Sequence, residues 1–259
     1  MRYFVVDAFT DRLFKGNPAG VCLLDEWLDE QTMQNIAAEN NLAETAFVVK
    51  RADHYDLRWF TPKVEVDLCG HATLASAYVV HNFVDREAEV MRFETISGLL
   101  TVTHHEGLLE MDFPAKMPRP IKMTPSIAQA IGVPVLGAFS SRDLLVLLAS
   151  EQLIRDFTPN IELLSQLEDY LGIIITAPGD TLDFVSRFFA PAVGIPEDPV
   201  TGSAHSTLIP FWAERLGKNK LKAKQLSPRG GTLYCKNCGE RVKIAGQAVL
   251  YLQGEIRII

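Results

Sequence analysis

The chain has 259 residues, of which 47% are hydrophobic and 22% are charged, and its formal net charge at pH 7 is −7. A chain of this size can bury a substantial core, either as one large domain or as two modest ones. The negative charge argues against a nucleic acid or an anionic membrane as partner, although a local cluster of backbone amides can still bind an anionic substrate.

The first half of the chain is predicted to alternate strands and helices. Asp7 interrupts the opening apolar residues too early for a secretory signal, so we expect a cytoplasmic protein. Asp29 can cap a helix that continues through Asn40. A helix over 71–83 is apolar nearly all round, which is typical of a helix buried in a sheet layer. The other elements predicted here are a strand over 3–9, a turn-rich loop over 14–20 leading into a second strand, strands over 46–49 and 56–60, and a β-rich stretch over 90–113.

Three prolines within residues 113–124 favour an extended linker between two domains. We therefore predict one domain over 1–115 and another over 116–259, with the last strands free to pack back on the first. Pro210 is expected to kink a helix over 202–216. The other elements predicted here are helices over 126–131 and 160–170, strands over 144–148, 173–176 and 183–189, and successive hairpins in the final 38 residues with turns at 229–231, 237–239, 245–246 and 253–254.

The four cysteines are too few for a disulfide framework in a chain of this length. Cys22 lies in an apolar run and is expected to be a small buried hydrophobe. Cys235 and Cys238 have the spacing of a zinc knuckle, but no second Cys or His pair lies near them, so two turn cysteines are favoured over a metal site. No other metal pattern, phosphate loop or run of roughly 20 apolar residues occurs, and we expect no metal, cofactor or membrane span.

Two stretches of the chain, 129 residues apart, resemble one another. The first covers 56–62 and 67–73, and the second covers 183–191 and 197–205. Each pairs an aromatic strand that ends at a proline with small residues that open a helix. A period this long excludes a solenoid and predicts two related halves that face one another across a cleft.

The two repeated helix starts are candidate anion-binding sites. The first turn of a helix leaves backbone N–H groups without intrahelical partners and carries a positive dipole end. Gly70 and Gly202 would let a ligand approach the backbone closely, and Thr73 and Ser203 would add hydroxyl donors. A single copy favours plain helix capping, but the duplication favours binding of a small carboxylate.

Three ionisable residues are candidates for acid–base chemistry. Glu44 precedes an otherwise apolar strand, and burial there is expected to raise its pKa toward neutrality, although a solvated position at a strand start is the alternative. His71 follows Gly70 at a helix start, where an imidazole can exchange a proton with a bound ligand. Asp198 either favours the bend before a proline or reaches the same ligand.

Five motifs resemble the signature set of the PhzF phenazine-biosynthesis family and occur in the family's order across most of the chain. They are Gly16-Asn17-Pro18-Ala19-Gly20-Val21, Asn41-Leu42-Ala43-Glu44-Thr45, Asp67-Leu68-Cys69-Gly70-His71-Ala72-Thr73, Arg187-Phe188-Phe189-Ala190-Pro191 and Glu197-Asp198-Pro199-Val200-Thr201-Gly202-Ser203-Ala204. The match is specific to the family and not to a substrate.

The resemblance implies the α+β fold of diaminopimelate epimerase, in which two similar domains each wrap a curved sheet around a central helix, with the active site in the cleft between them. It also implies a cofactor-independent isomerase that moves a proton within a small carboxylated metabolite. The family resemblance suggests a homodimer and implies no metal.

The resemblance also assigns residues to roles. Glu44 corresponds to the family's proton-transferring glutamate, and His71 and Asp198 correspond to further catalytic residues that are polar partners of the substrate. The substrate-binding residues that the resemblance implies are Asn17, Gly70, His71, Ala72, Gly202 and Ser203.

Two other functions remain open. Cys69 stands where related epimerases carry one of two catalytic thiols, but its counterpart in the second half is Thr201. A Cys69/Thr201 pair could support an epimerase or a dehydratase. The second alternative is a metabolite-binding or interaction protein that has kept the cleft without the catalytic activity.

Overall fold

The computed structural model describes residues 1–258, and the chain forms two compact units. The first unit holds Met1–Asp112 and the chain from Ala245 onward, and the second holds Phe113–Ile244. Each unit combines a sheet with a few helices, which confirms the α+β fold class. None of the helices in residues 1–258 is long and apolar enough to cross a membrane.

Strands outnumber helices throughout the chain. Its first part contains β1 (Arg2–Ala8), β2 (Asn17–Leu24), α1 (Glu30–Asn40), β3 (Glu44–Lys50), β4 (Tyr55–Phe60), β5 (Glu65–Val66), α2 (Gly70–Phe83), β6 (Val90–Thr95), β7 (Gly98–His105) and β8 (Leu108–Pro114). The remainder contains β9 (Arg119–Ile121), α3 (Pro125–Ile131), β10 (Gly137–Ser140), β11 (Leu144–Leu147), α4 (Glu151–Asp156), α5 (Ile161–Ser165), β12 (Ile173–Pro178), β13 (Phe184–Ala190), a 3₁₀ turn (Pro191–Val193), β14 (Ile195–Asp198), α6 (Gly202–Leu216), β15 (Lys220–Gln225), β16 (Gly231–Asn237), β17 (Arg241–Gly246) and β18 (Ala248–Glu255).

The strands of both units are paired in the same order. In the first unit β18 pairs with β1, followed by β2, β3, β4, β6, β7 and β8. In the second unit β9 pairs with β10, followed by β11, β12, β13, β15 and β16. The parallel pairs also match, because β2–β3 and β4–β6 correspond to β11–β12 and β13–β15. The duplication seen in the sequence is therefore a duplication of fold.

Each unit has one long helix that is buried on nearly every side. α2 packs against β1, β2 and β3, and α6 packs against β15 and β16. Leu74 of α2 and Leu208 of α6 are both fully buried, and such a side chain contributes roughly 1.5–3 kcal/mol through burial. Strands on several sides of each helix explain the near-uniform apolar composition that predicted this burial.

A repeated ion pair braces the short strand that precedes each central helix. In the first unit Arg58 donates two hydrogen bonds to Glu65, from Nε at 2.7 Å and from Nη2 at 2.6 Å. In the second unit Arg187 donates to Glu197 in the same way, at 2.7 and 2.9 Å. The bidentate geometry fixes β5 against β4 and β14 against β13. The starts of α2 and α6 are thereby held close to the sheets.

Two predicted loops are partly strand. β2 begins at Asn17, so the predicted loop over 14–20 is wrong in its second half, and Pro18 faces Asp7 of β1. The predicted linker over 113–124 contains β9, which pairs with β10. Proline is tolerated near the start of a strand and at a sheet edge, and Pro18 precedes the β2–β3 pairing that begins at Ala19.

Two of the four turns predicted near the end of the chain are wrong. Turns follow β15 and β16, as predicted, but β17 runs to Gly246 and β18 contains Gly254. A Cβ atom on Gly246 would lie 2.5 Å from Cδ1 of Phe9, so close packing requires glycine there. Gly254 pairs with Tyr3 across the sheet. The predicted helix over 160–170 is also shorter, since α5 ends at Ser165.

Candidate active site

Glu44, Cys69 and His71 meet inside the first unit. Glu44 is the first residue of β3, Cys69 is the N-cap of α2, and His71 lies in its first turn. Oε2 of Glu44 lies 3.0 Å from Nε2 of His71, and their side chains are only 12% and 7% exposed. Sγ of Cys69 lies 3.5 Å from Nδ1 of His71. A carboxyl group, an imidazole and a thiol therefore share one buried pocket.

His71 reverses the effect of burial on Glu44. Burial alone raises the pKa of this carboxyl, but the charge of His71 and hydrogen bonds from His71 and Cys69 outweigh it and lower the pKa below its ordinary value. The expectation that burial lifts the Glu44 pKa toward neutrality is therefore wrong. The positive charge of His71 lies 3.0 Å from the carboxylate, so burial does not determine the direction of the pKa shift of Glu44.

The pKa values of His71 and Cys69 are also shifted, and they determine the charges of these two groups at neutral pH. Burial lowers the pKa of His71, but interactions with Cys69 and Glu44 outweigh this and raise it well above its ordinary value. Burial and the charge of Glu44 raise the pKa of the Cys69 thiol. At neutral pH the cluster therefore holds a carboxylate, an imidazolium and a neutral thiol.

The start of α2 brings further predicted residues next to this cluster. The N-cap residue Cys69 has extended backbone (φ −141°, ψ 108°) and its side chain makes no capping hydrogen bond. Gly70 and Ala72 belong to the same first turn. The hydroxyl of Thr73 donates to the Cys69 carbonyl at 2.6 Å, so it is not the ligand donor that the sequence suggested.

A second buried polar cluster lies at the start of α6 in the second unit. Asp198 ends β14, and the hydroxyl of Thr201 donates a hydrogen bond to its carboxylate. The side chain of Gln225 joins both residues, since it accepts from the Thr201 amide at 2.8 Å and donates to the Asp198 carbonyl at 2.7 Å. His205 donates through Nδ1 to the Thr201 carbonyl at 2.8 Å. Burial lowers the pKa of His205 to about 4, which keeps it neutral.

The remaining predicted binding residues are distributed over both units. Asn17 is fully buried at the start of β2 in the first unit. Gly202 is buried as the first residue of α6 in the second unit. Oγ of Ser203 accepts a hydrogen bond from Nη2 of Arg142 at 3.1 Å.

Gln225 and Arg142 belong to the polar surroundings of the α6 start but were not singled out from the sequence. A signal for Gln225 existed, because Leu221, Ala223 and Gln225 alternate with three lysines along β15. A polar side chain at an inward position of such a strand needs buried partners. No comparable local signal marks Arg142, which reaches Ser203 only through the fold.

Three groups of the first cluster could also coordinate a metal ion. Glu44, Cys69 and His71 each offer one ligand atom, and these atoms lie within 4.8 Å of one another. Their spacing along the chain matches no familiar metal motif, because the carboxylate comes from a different element.

Comparisons with known proteins identify the family of the chain. The family model of phenazine biosynthesis-like proteins, PhzC-PhzF, matches residues 6–254. The chain belongs to the PhzC-PhzF family. It is 51% identical over 259 residues to an uncharacterized isomerase of Pseudomonas aeruginosa, covering 100% of this chain and 99% of that protein.

Solved structures extend the PhzF likeness to the fold. A crystal structure of a PhzF-family protein of Enterococcus faecalis matches with a TM-score of 0.98 and 48% identity, covering 99% of both chains. A predicted epimerase of Pseudomonas aeruginosa matches with a TM-score of 0.75 over 100% of this chain and 99% of that chain. At 19% identity, this second likeness concerns the fold alone. The family resemblance and the epimerase-like fold expected from the sequence are both confirmed.

Proposed function

We propose that this chain is a cofactor-independent isomerase that transfers a proton within a small carboxylated substrate, with Glu44 as the general acid and base. The observation that carries this proposal is the buried pair of Glu44 and His71, whose charged atoms lie 3.0 Å apart at the start of α2. The isomerase names of the relatives support the reaction class.

The reaction consists of two proton transfers that leave the composition of the substrate unchanged. Glu44 removes a proton from a carbon next to a carbonyl or an alkene, and the electron pair spreads over the conjugated system. The neutral carboxyl of Glu44 then returns the proton to another carbon of the same molecule. A positioned base of this kind accelerates a reaction by roughly 10²–10⁴-fold, so stabilisation of the developing charge supplies much of the remainder.

The low pKa of Glu44 gives His71 a second role in this proposal. A carboxylate held by an imidazolium is a weaker base, and each unit of pKa corresponds to about 1.36 kcal/mol. If the imidazolium instead donates to the oxygen on which negative charge develops, Glu44 regains basicity while the charge is stabilised. We therefore propose that the Glu44–His71 contact loosens when the substrate binds.

The polar residues at the two helix starts are proposed to bind the substrate. In the first unit these are Asn17, Gly70, His71 and Ala72. In the second unit they are Gly202 and Ser203, and Asp198 is proposed as a further catalytic group. The network of Thr201 and Gln225 holds Asp198 in place, so its position does not depend on a flexible loop.

The principal test is exchange of substrate hydrogen with heavy water. Small cyclic and amino carboxylates are incubated with the protein, and deuterium uptake is followed by mass spectrometry. Glu44→Gln keeps the shape of the side chain and removes the base, so uptake is expected to fall by roughly 10²–10⁴-fold. Glu39→Gln, on the exposed side of α1, is the matched control. Full uptake in Glu44→Gln contradicts the proposal, and carboxylate binding without any uptake supports a metabolite-binding protein instead.

A thiol-based epimerase or dehydratase is the second candidate, because Cys69 contacts His71 within the same pocket. In that reaction Cys69 would be one base and Thr201 would stand where the second thiol is expected. The raised pKa of the Cys69 thiol disfavours this candidate. Cys69→Ala separates the two, since it abolishes a thiol reaction and spares proton transfer by Glu44.

We also propose that the chain forms a homodimer in the cytoplasm. The exposed large apolar side chains of the first unit include Phe14, Tyr251 and Leu252, which are 65%, 53% and 40% exposed, and the rings of Phe14 and Tyr251 contact one another. Exposed apolar side chains in one region of a protein commonly mark an interface. The four free cysteines are consistent with a reducing compartment. Light scattering on the wild type and on Tyr251→Lys measures whether the dimer forms and uses this surface.

A further inference from the structure

The Glu44, Cys69 and His71 cluster contains one example of each side chain that Zn²⁺ binds in proteins. Zinc takes thiolate sulfur at about 2.3 Å, imidazole nitrogen at about 2.0–2.1 Å and carboxylate oxygen at about 2.0–2.2 Å. On a tetrahedral ion these distances place the ligand atoms about 3.3–3.8 Å apart. The ligand atoms of the cluster lie within 4.8 Å of one another, and the Glu44 and His71 atoms lie 3.0 Å apart. Sγ of Cys69 faces Nδ1 of His71 and Oε2 of Glu44 faces Nε2, so side-chain rotation must bring both ligands to one ring nitrogen before all three bind the same ion.

The three side chains lie on secondary-structure elements that pack against one another. Cys69 and His71 are separated by one residue at the start of α2, and α2 packs against β3, which begins at Glu44. Ligands on helices and strands hold a metal site more firmly than ligands on loops. The cluster is also desolvated, since Cys69 and His71 are 6% and 5% exposed. Water therefore competes weakly for the ion.

His71 supplies the observation that points to a ligand. Its side chain is more than nine-tenths buried, and its Nε2 atom meets only Oε2 of Glu44, in an ion pair, within residues 1–258. Oε2 of Glu44 is in the same situation. The two atoms face one another at 3.0 Å, so an ion bound between them would satisfy both.

We propose that Glu44, Cys69 and His71 bind one Zn²⁺ ion and that this ion inhibits the enzyme. On binding, the ion displaces to solvent the proton on the liganding nitrogen of His71 and the proton of the Cys69 thiol. The three protein ligands leave a fourth tetrahedral position for water or for a substrate carboxylate. The ion occupies the Glu44 oxygen that the proton transfer uses, so metal and catalysis exclude one another. The inhibition rests on the proposed function, whereas the binding rests on the cluster alone.

The chain offers an internal comparison, because Cys235 and Cys238 carry the spacing of a zinc knuckle. Cys235 is buried in β16 and Cys238 is exposed beyond its end. Neither belongs to a group of three potential ligands within residues 1–258. The proposed site therefore requires Cys69 and not Cys238.

Binding is tested on metal-free protein with Zn²⁺ and Co²⁺ as probes. Zinc affinity is measured by competition with a chromophoric chelator, and Co²⁺ reports sulfur ligation through its thiolate charge-transfer absorption. We expect one ion per chain. Cys69→Ser should weaken zinc binding by more than about 100-fold, since loss of even an outer partner of a ligand costs 10–100-fold, and should abolish the absorption. Cys238→Ser should change neither.

The outcomes separate the inference from the function. The proposed site is overturned if the wild type binds zinc no more tightly than Cys69→Ser does. Loss of the Co²⁺ absorption in Cys238→Ser also overturns it. Glu44→Gln retains the thiol and should also bind zinc more weakly. It tests the site independently if Cys69→Ser misfolds. Zinc bound through Cys69 with undiminished deuterium exchange overturns the inhibition. Absent exchange in chelator-treated protein contradicts the proposed function, and the binding measurement stands independently of it.

Discussion

Replacing His71 with leucine tests the electrostatic account of the buried pair. The variant leaves the Glu44 side chain, 12% exposed, without the cation that lies 3.0 Å away. Burial then dominates, and the pKa of Glu44 is expected to rise above its ordinary value instead of falling below it. Removing one member of a buried ion pair typically costs 3–5 kcal/mol, so we expect a loss of about 3 kcal/mol near pH 6.5.

The pH dependence gives the sharper result. In the wild type the lowered pKa of Glu44 stabilises the fold above its unfolded pKa, and that contribution is lost only as pH falls through the lower folded pKa. The raised pKa of His71 stabilises fully below its unfolded pKa, and that contribution is lost as pH rises through the folded value. Between about pH 5 and 6.5 both contributions of the pair are nearly constant.

His71→Leu behaves differently in the same window. Glu44 with a raised folded pKa loses about 1.36 kcal/mol of stability per pH unit once the unfolded carboxyl ionises. The variant should therefore lose up to about 2 kcal/mol relative to the wild type between pH 5 and 6.5. Urea unfolding at several pH values measures this difference, with the exposed residue changed in His105→Leu as control. Equal pH slopes for His71→Leu and the wild type would refute the reasoning.

Five further variants test the polar contacts near the helix starts and the packing of two strand glycines, each by urea unfolding. Gln225→Leu leaves the Thr201 amide without its buried acceptor and should cost about 1–3 kcal/mol, and a neutral result contradicts the network. Arg187→Met breaks a buried ion pair and should cost about 3–5 kcal/mol, whereas Arg58→Met, at the more exposed equivalent, should cost less. Gly246→Ala should cost about 1–3 kcal/mol through overlap with Phe9, while Gly254→Ala, whose nearest neighbour lies 3.8 Å away, should be better tolerated.

Local patterns predicted the elements whose stability depends on near neighbours. Asp29 caps α1 and accepts a hydrogen bond from Thr32, as its position before the helix indicated. α2 and α6 follow from long apolar segments opened by Gly70 and Gly202. The repeated motif also predicted two similar halves, which the common strand order of the two units confirms.

Glycine and proline were the main source of error in the elements, because each has more than one structural use. Gly246 and Gly254 suggested turns but lie in strands, one for close packing and one in a sheet pair. Pro18 and Pro120 suggested loops but lie in strands that accommodate them. Which use applies depends on residues that are distant in sequence.

The sequence by itself determined the family, the α+β class and the candidate residues Glu44, Cys69 and His71, because motifs and residue types are local properties. Only the tertiary structure decided the electrostatic state of that cluster. Glu44 and His71 come from different elements, and Coulomb interactions depend steeply on the 3.0 Å separation that folding creates. The same reason explains Gln225, whose role exists only because β15 carries it to the start of α6.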